Sequence, residues 1–444
     1  MAAPGLIIAA TASGRGKTLI TLGLIEALQK RSLRVASFKA GPDYIDPGFH
    51  RLATGRPCLN LDSWAMRLET LAALADACQT GADLVVGEGV MGLFDGAPDG
   101  SGSTADLAAL LDLPVLLVID CKGMGASAAA VAEGFIRYRE DVEVVGIILN
   151  RCAGERHAQT IIRACDDRFS TVVLGWLPEN PELRLPSRHL GLVQATEQED
   201  LPTVIQKAAD LVASRLDFDR LLKLKRHFGL NLHGPRARPL PALGQRIAIA
   251  QDVAFAFLYP AIVEGWRNAG AELSFFSPLS DQGPAKDADA VFLPGGYPEL
   301  HAGKLSNNQG WLGGLKAARD RGAAIYGECG GFMVLGRHLV DGDGTAHPMA
   351  GLLPIDTSFA QRRLHLGYRQ MSLTGPSLLG SKGARFRGHE FHYASRTDDF
   401  SAPPLFQVRD ADGRELGDTG AVVGRVAGSF LHLIDAAPHL AIVR

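Results

Sequence analysis

The chain has 444 residues, with 45 basic against 48 acidic side chains and 46% hydrophobic content. That length exceeds what one hydrophobic core serves and predicts two or three domains. The balanced charge carries no footprint for nucleic acid or an anionic membrane surface, and no apolar run is long enough to span a bilayer. Six scattered cysteines lack a CxxC pair or metal-ligand spacing, which predicts free thiols in a reducing, cytoplasmic setting. Oligomeric state is left open, a homodimer included.

The first apolar run, Leu6 to Ala10, leads straight into Thr11–Thr18, TASGRGKT. It lacks a basic n-region and so reads as a core strand and not as a signal peptide. Strand, glycine turn and helix start in that order make a phosphate cradle: Thr11, Ser13, Gly14, Arg15, Gly16, Lys17 and Thr18 are assigned to a nucleoside triphosphate. Gly14 and Gly16 let backbone N–H groups point inward, and the helix N-terminus adds its positive dipole end. Lys17 would reach the β- and γ-phosphates, and the Thr18 hydroxyl would sit on Mg²⁺. Thr11 stands where the full P-loop pattern has glycine.

Further strands are expected at Arg34–Phe38, Leu84–Glu88, Val115–Ile119, Val144–Leu149 and Val172–Leu174. Helical spacing recurs between them at Leu19–Arg31, Leu68–Gln79 and Ala126–Tyr138. Buried strands separated by helices imply a parallel, doubly wound α/β sheet, whose ligands gather at the carboxyl ends of its strands. After the second strand, KAGPDYIDPGFH carries two prolines and two glycines and is expected to be a fixed loop without regular structure. It presents Asp43, Tyr44 and Asp46. After the third strand, EGVMGLFDG supplies Glu88 and Asp95. Taken singly, each acid reads equally well as a turn-former or helix cap. Four of them on two strand-end loops beside a phosphate cradle point to a site. Both loops are expected to leave strands adjacent to the cradle strand. Glu88 and Asp43 are assigned to Mg²⁺ and nucleotide. Asp120–Gly125 and Asn150–Arg151 are further candidates for the nucleotide.

Between residues 215 and 245 the pattern changes. HGPRARPLPALGQ, at 233–245, has three prolines and two glycines and reads as an interdomain linker. This divides the chain into 1–232, the linker and 246–444. A second α/β pattern starts at Arg246–Ala250. In YGECGG, an apolar strand (Ala323–Tyr326) precedes Cys329 and a helical pattern (Phe332–Leu335) follows it. Cys329 thus sits on a tight strand-to-helix turn, the geometry of a nucleophile elbow. The helix N-terminus is expected to lower the thiol pKa, and Gly295 and Gly296 of VFLPGGYPEL, with Gly330, to donate to an oxyanion. GSFLH, at 428–432, places His432 at a strand end as the base. A lone cysteine is usually a small buried hydrophobe; the combination argues for a nucleophile.

Residues 246–444 resemble class I glutamine amidotransferase domains, the branch fused to cobalamin-pathway amidases. By that resemblance Cys329 attacks the side-chain amide of glutamine, His432 activates it, and ammonia is released. Most relatives carry Glu two residues after the histidine; here Ile434 stands there, with Asp435 one place further. The site therefore runs as a dyad or orients its histidine by another group.

The whole chain resembles the cobyrinic/hydrogenobyrinic acid a,c-diamide synthase family, through TASGRGKT, FKAGPDYIDPGFH, EGVMGLFDG, ECGG, GHEFHY (388–393) and GSFLH. The resemblance implies a dethiobiotin-synthetase-like P-loop domain joined to an amidotransferase domain. It also implies an acyl phosphate made from ATP on a corrin-ring carboxylate, and glutamine-derived ammonia reaching it by a covered path. In that setting Tyr44, Asp46 and Asp95 are assigned to placing the acceptor carboxylate. The polar residues of GHEFHY, His389, Glu390, His392 and Tyr393, are candidates to line the domain junction; the motif reads alternatively as a strand with His and Glu outward and Phe391 inward. A cobyric acid synthase-like amidase is the nearest alternative, though it has a different loop after the second strand. A P-loop regulatory ATPase with a degenerate second half is opposed by the intact GECGG and late histidine. A carbon dioxide-using enzyme of the dethiobiotin synthetase type would need no ammonia source.

Overall fold

A computed structural model describes residues 2–188, 191–230, 237–399 and 401–437. The chain forms two compact units, one of residues 1–64 and 71–235, the other of residues 65–70 and 236–444. Residues 233–236 of the expected linker lie outside the described residues.

In the first unit strands and helices alternate: β1 (Gly5–Ala10), α1 (Lys17–Gln29), β2 (Val35–Ala40), α2 (Asp46–Thr54), β3 (Leu59–Leu61), α3 (Leu68–Gln79), β4 (Leu84–Glu88), α4 (Thr104–Leu111), β5 (Val115–Asp120), α5 (Ser127–Arg137), β6 (Val144–Cys152), α6 (Glu155–Asp166) and β7 (Val172–Pro178). A two-stranded ribbon, β8 (Ser187–Arg188) and β9 (Gly191–Leu192), precedes α7 (Leu201–Arg215) and α8 (Phe218–Leu224). The large sheet runs β3-β2-β4-β1-β5-β6-β7, and its strands pair in parallel. Leu6, Ile7 and Ile8 of β1 are wholly buried, each contributing about 1.5–3 kcal/mol relative to exposure. A strand apolar on both faces belongs in the middle of a parallel sheet, and β1 lies there.

Two expectations about the loops are corrected. KAGPDYIDPGFH is not wholly irregular, because α2 begins within it at Asp46. Pro47 lies in its first turn, where a missing N–H costs nothing. The Asp43 Oδ1 caps this start, accepting from Ile45 N at 2.8 Å and Asp46 N at 2.9 Å. Of the two acid-bearing strands, only β4 adjoins β1; β2 is one strand further out. The short β3 was not foreseen.

The second unit contains β10 (Arg246–Ala250), α9 (Pro260–Asn268), β11 (Glu272–Phe276), β12 (Ala290–Leu293), α10 (Ala302–Asn307), α11 (Gln309–Asp320), β13 (Ala324–Glu328) and α12 (Gly330–Leu335). Then follow β14 (His338–Val340), β15 (Ala346–Pro348), β16 (Asp356–Ser358), β17 (His365–Leu373), β18 (Arg385–His392), β19 (Ser395–Arg396), β20 (Phe406–Arg409), β21 (Glu415–Thr419), β22 (Ala421–Val423), β23 (Val426–Ser429) and β24 (His432–Ala436). The main sheet runs β11-β10-β12-β13-β23-β22, parallel except at β22. Trp311, Phe255, Phe332 and Ile325 anchor its core. A second, antiparallel sheet, β21-β20-β17-β18-β24, was not anticipated. GHEFHY lies on β18, but with His389 and His392 buried and Phe391 only half-buried. The histidines therefore do not face outward as expected: residues 389 and 392 fall on opposite faces of β18 and both are buried.

Candidate active site

The turn after β1 delivers the cradle. Ser13, Gly14 and Arg15 are exposed, whereas Lys17, the first residue of α1, is buried. Gly16 has φ +89°, and a Cβ there would fall 2.5 Å from Asn150 Nδ2. Only glycine fits, since L side chains disfavour that φ and the Asn150 amide occupies the space. Asn150 Nδ2 donates to Arg15 O at 2.8 Å. The Arg15 guanidinium is turned to Asp120 at 3.1 Å, a carboxylate it shares with Arg151 at 2.9 Å. Asn150 and Arg151 therefore brace the cradle from β6.

Beneath the cradle lies a buried charge network. Thr18 Oγ1 donates to Glu88 Oε1 at 2.7 Å and lies 3.4 Å from Asp46 Oδ2. The Lys39 Nζ, from β2, donates to Asp46 Oδ2 at 2.5 Å and Glu88 Oε1 at 2.9 Å. His50 Nε2 meets the other Glu88 oxygen at 2.7 Å. Burial alone would raise the Glu88 carboxyl, but Lys39 and His50 outweigh it and hold the group well below the usual carboxylate range. Burial and the nearby Asp43 push Asp46 upward. Two carboxylates thus share one ammonium, and the more deeply paired Glu88 keeps its charge. Burial and the neighbouring Lys39 bring Lys17 down to about 8; its Nζ donates to the Met91 carbonyl.

The structure gathers Lys17, Thr18, Asp46 and Glu88. Asp43 is less engaged there, with Oδ2 3.9 Å from Lys39 and Oδ1 committed to backbone. Asp95 turns back on its own loop, accepting from Gly92 N at 2.8 Å. Lys39 and His50 were not singled out from the sequence. Their only signal was a lysine between the apolar Phe38 and Ala40, at the ladder position that β2–β4 register sets opposite Glu88.

In the second unit Cys329 links β13 to α12 with φ 48° and ψ −108°. A non-glycine residue in that region is strained, as at a nucleophile elbow. Its N–H donates to Ser429 O at 2.8 Å, which ties the elbow to β23. Backbone N–H groups of Gly330 and Gly296 reach the sulfur. They do not lower the thiol as expected: burial and the nearby Glu299 outweigh them and push it up to about 12. His432, wholly buried at the start of β24, is brought down to about 3 by burial, with His389 and His392 adding to it. A Cβ on Gly295 would overlap the His432 ring at Cε1 and lie 3.1 Å from Cys329 Cβ. That glycine lets β12 close on the pair.

Asp435 does not serve His432. Its Oδ2 accepts from Arg67 N at 2.8 Å, and its Oδ1 from Arg67 Nη2 at 2.9 Å and Nε at 3.1 Å. The carboxylate that pairs with the imidazole among the described residues is Glu328, with Oε2 3.7 Å from His432 Nδ1. The sequence displayed it in YGECGG without assigning it a role.

A P-loop nucleotide-binding unit and a unit with a cysteine elbow beside a buried histidine define the class of glutamine-dependent amidoligases. Residues 6–193 match the CobQ/CobB/MinD/ParA nucleotide binding domain, and residues 246–439 the CobB/CobQ-like glutamine amidotransferase domain. Hydrogenobyrinate a,c-diamide synthase of Brucella anthropi is 51% identical over 97% of this chain and 98% of that protein. The proteins of the same name from a Sinorhizobium species and Rhodobacter capsulatus are each 50% identical, over 98% and 97% of this chain and 99% and 98% of their own. The chain belongs to the hydrogenobyrinate a,c-diamide synthase family. Among the described residues no helix is long and apolar enough to cross a membrane.

Proposed function

We propose that the protein amidates the a and c carboxylates of hydrogenobyrinate, the metal-free corrin-ring acid, using ATP and glutamine. In the first unit a substrate carboxylate oxygen attacks the γ-phosphorus of ATP, giving an acyl phosphate and ADP. Ammonia then attacks the acyl carbon, and phosphate leaves with the former carboxylate oxygen. Lys17 and the backbone of the cradle neutralise the transferring phosphoryl group, where positioning and electrostatics supply most of the catalysis. The Thr18 hydroxyl and the Glu88 and Asp46 carboxylates are a hard-oxygen set that fits Mg²⁺. They would hold the ion, which supplies charge neutralisation at the phosphates. Lys39 keeps the two carboxylates together and apart from bulk water. Tyr44 and Asp95 remain on the loops that flank the acceptor.

In the second unit the Cys329 sulfur attacks the glutamine amide carbon while its proton passes to His432. The same proton goes to the departing nitrogen, releasing ammonia and leaving a thioester, which water hydrolyses to glutamate. Gly295, Gly296 and Gly330 line the oxyanion position.

The reading is carried by one observation: a single chain holds both a Lys-Thr phosphate cradle over paired carboxylates and a cysteine elbow packed against a buried histidine. Mass spectrometry of products tests it, with hydrogenobyrinate or its cobalt-containing counterpart supplied together with ATP, Mg²⁺ and glutamine. The expected product is the diamide from the metal-free ring. Cys329→Ala should abolish glutamine-dependent synthesis while ammonium salts at high pH still support it. Parental use of glutamine by that variant would overturn the assignment.

A further inference from the structure

The imidazole of a Cys–His pair needs a partner on Nδ1, so that Nε2 presents its lone pair to the thiol and the cation formed on proton transfer is stabilised. The position two residues after His432 holds Ile434, a buried aliphatic side chain. Asp435, three residues on beyond a bulge at Ile434, has both its oxygens taken by Arg67. We propose that Glu328, the residue before the nucleophile, is the positioning residue for His432, with its carboxylate directed at Nδ1. This assignment rests on the reading of Cys329 and His432 as the glutaminase pair.

Three features of the geometry converge on it. Glu328 Oε2 lies 3.7 Å from Nδ1, and both side chains are almost wholly buried, at 2% and 0% exposure. The carboxyl is itself fixed, because Oε1 accepts from Leu433 N at 3.1 Å. That donor is the residue directly after His432, so the acid is tied to the strand carrying the imidazole. Finally, Glu328 and Cys329 are consecutive across the β13–α12 elbow, and Glu328 pairs in register with Ser429 of β23. Any shift of the nucleophile therefore moves its acid with it.

The proton follows a closed path. It leaves the Cys329 sulfur for His432 Nε2 and is returned to the amide nitrogen of glutamine, while Nδ1–H stays directed at Glu328. Groups facing this pair are Cys329, His389 and His392 around the imidazole, and the Tyr326 hydroxyl against the Glu328 carboxyl. Phe257 lies beside the imidazole, with ring centroids 6.3 Å apart. The histidines disfavour the imidazolium, which makes a facing carboxylate the group able to offset them.

The test uses the full chain. Glutamine hydrolysis is followed from pH 5.5 to 9.5 for the parent, Glu328→Gln, Glu328→Asp and Cys329→Ala, with ammonium-supported amidation measured on each. Glu328→Gln should lower kcat by roughly 10²–10³-fold, short of the about 10⁴-fold known when a triad carboxylate becomes an amide. KM should stay within about threefold and ammonium-supported amidation should be retained. In the parent, burial holds the Glu328 carboxyl at about 8, so kcat/KM should rise with pH through that region. The rise should vanish in Glu328→Gln. Glu328→Asp, which keeps the charge but shortens the reach, should recover at least about tenfold of the loss. If Glu328→Gln does not fold, Glu328→Met, uncharged and of similar volume, replaces it: parental kcat with a parental pH profile in that variant sinks the proposal. Loss of activity with an unchanged pH profile and no recovery by Asp marks a merely structural role and also overturns it. Cys329→Ala that still hydrolyses glutamine overturns the underlying glutaminase reading instead.

Discussion

Thr18 Oγ1 donates to Glu88 Oε1 at 2.7 Å, joining the first turn of α1 to the last residue of β4. The bond carries the hydroxyl of the cradle to a carboxylate that stays firmly ionised, since Lys39 and His50 hold it from two sides. Glu88→Gln removes that charge and leaves Lys39 to Asp46 and, at 3.9 Å, Asp43. Both amidations should then fall by more than about 10²-fold with either nitrogen source. Asp46→Asn should follow the same course, because Asp46 shares Lys39 and Thr18. Asp95→Asn should stay within about tenfold of the parent, since its carboxylate ties only its own turn. Timed chromatography of monoamide and diamide separates these outcomes; selective monoamide accumulation in Asp46→Asn would assign Asp46 to the acceptor instead.

Lys17 is buried at the start of α1, with its ammonium on the Met91 carbonyl of the loop after β4. Lys17→Ala should lose amidation by several powers of ten whether glutamine or ammonium supplies nitrogen. ATP-dependent acyl phosphate formation, trapped with hydroxylamine, reads this directly. A trapped yield near the parental one would remove Lys17 from phosphoryl transfer.

Asp435 is buried, while its partner Arg67 is about a quarter exposed. Deleting the partner strands a charge in the interior, so Arg67→Ala should destabilise by about 3–5 kcal/mol. Denaturant unfolding measures this. Glutaminase kcat of the folded Asp435→Asn protein should remain near parental, in contrast to Glu328→Gln, because Asp435 makes its contacts with Arg67 rather than His432.

The buried Glu328 also predicts a pH signature in stability. Its carboxyl is raised from an ordinary 4.5 to about 8, chiefly by burial. The fold therefore favours the protonated form. The stabilising contribution is full below the unfolded value near 4.5 and is lost as pH rises through about 8. Thermal unfolding of the parent should show Tm falling between those limits. Glu328→Gln, neutral at every pH, should flatten that part of the curve; equal slopes in both proteins would contradict the burial argument.

Much of the first unit was legible because its signals are local. Leu84–Glu88 and Leu68–Gln79 fall on the observed strand and helix boundaries, since a short apolar run and a 3.6-residue spacing each need only neighbouring residues. The turn around Gly16 was readable for the same reason: its backbone demands glycine, and Lys17 and Thr18 follow directly. The Cys329 elbow was legible too, because the glycines that permit the sharp bend lie beside it.

What lies between chain segments was decided only by tertiary structure. The sequence could not rank Asp43 above or below Asp46, because the choice depends on which carboxyl the start of α2 consumes as a cap and which it turns toward Lys39. It could not foresee that the Cys329 thiol is pushed upward, since burial, a sum over the whole packed unit, outweighs the local N–H donors. Nor could it choose among Asp435, Glu328 and no acid at all for His432. The pull of Arg67 removes Asp435, while the end of β13 brings Glu328 Oε2 within 3.7 Å of Nδ1 across 104 positions of chain. Residue type and local order specify which chemistry is available; only register and burial determine which of several like groups is ionised, paired and within reach.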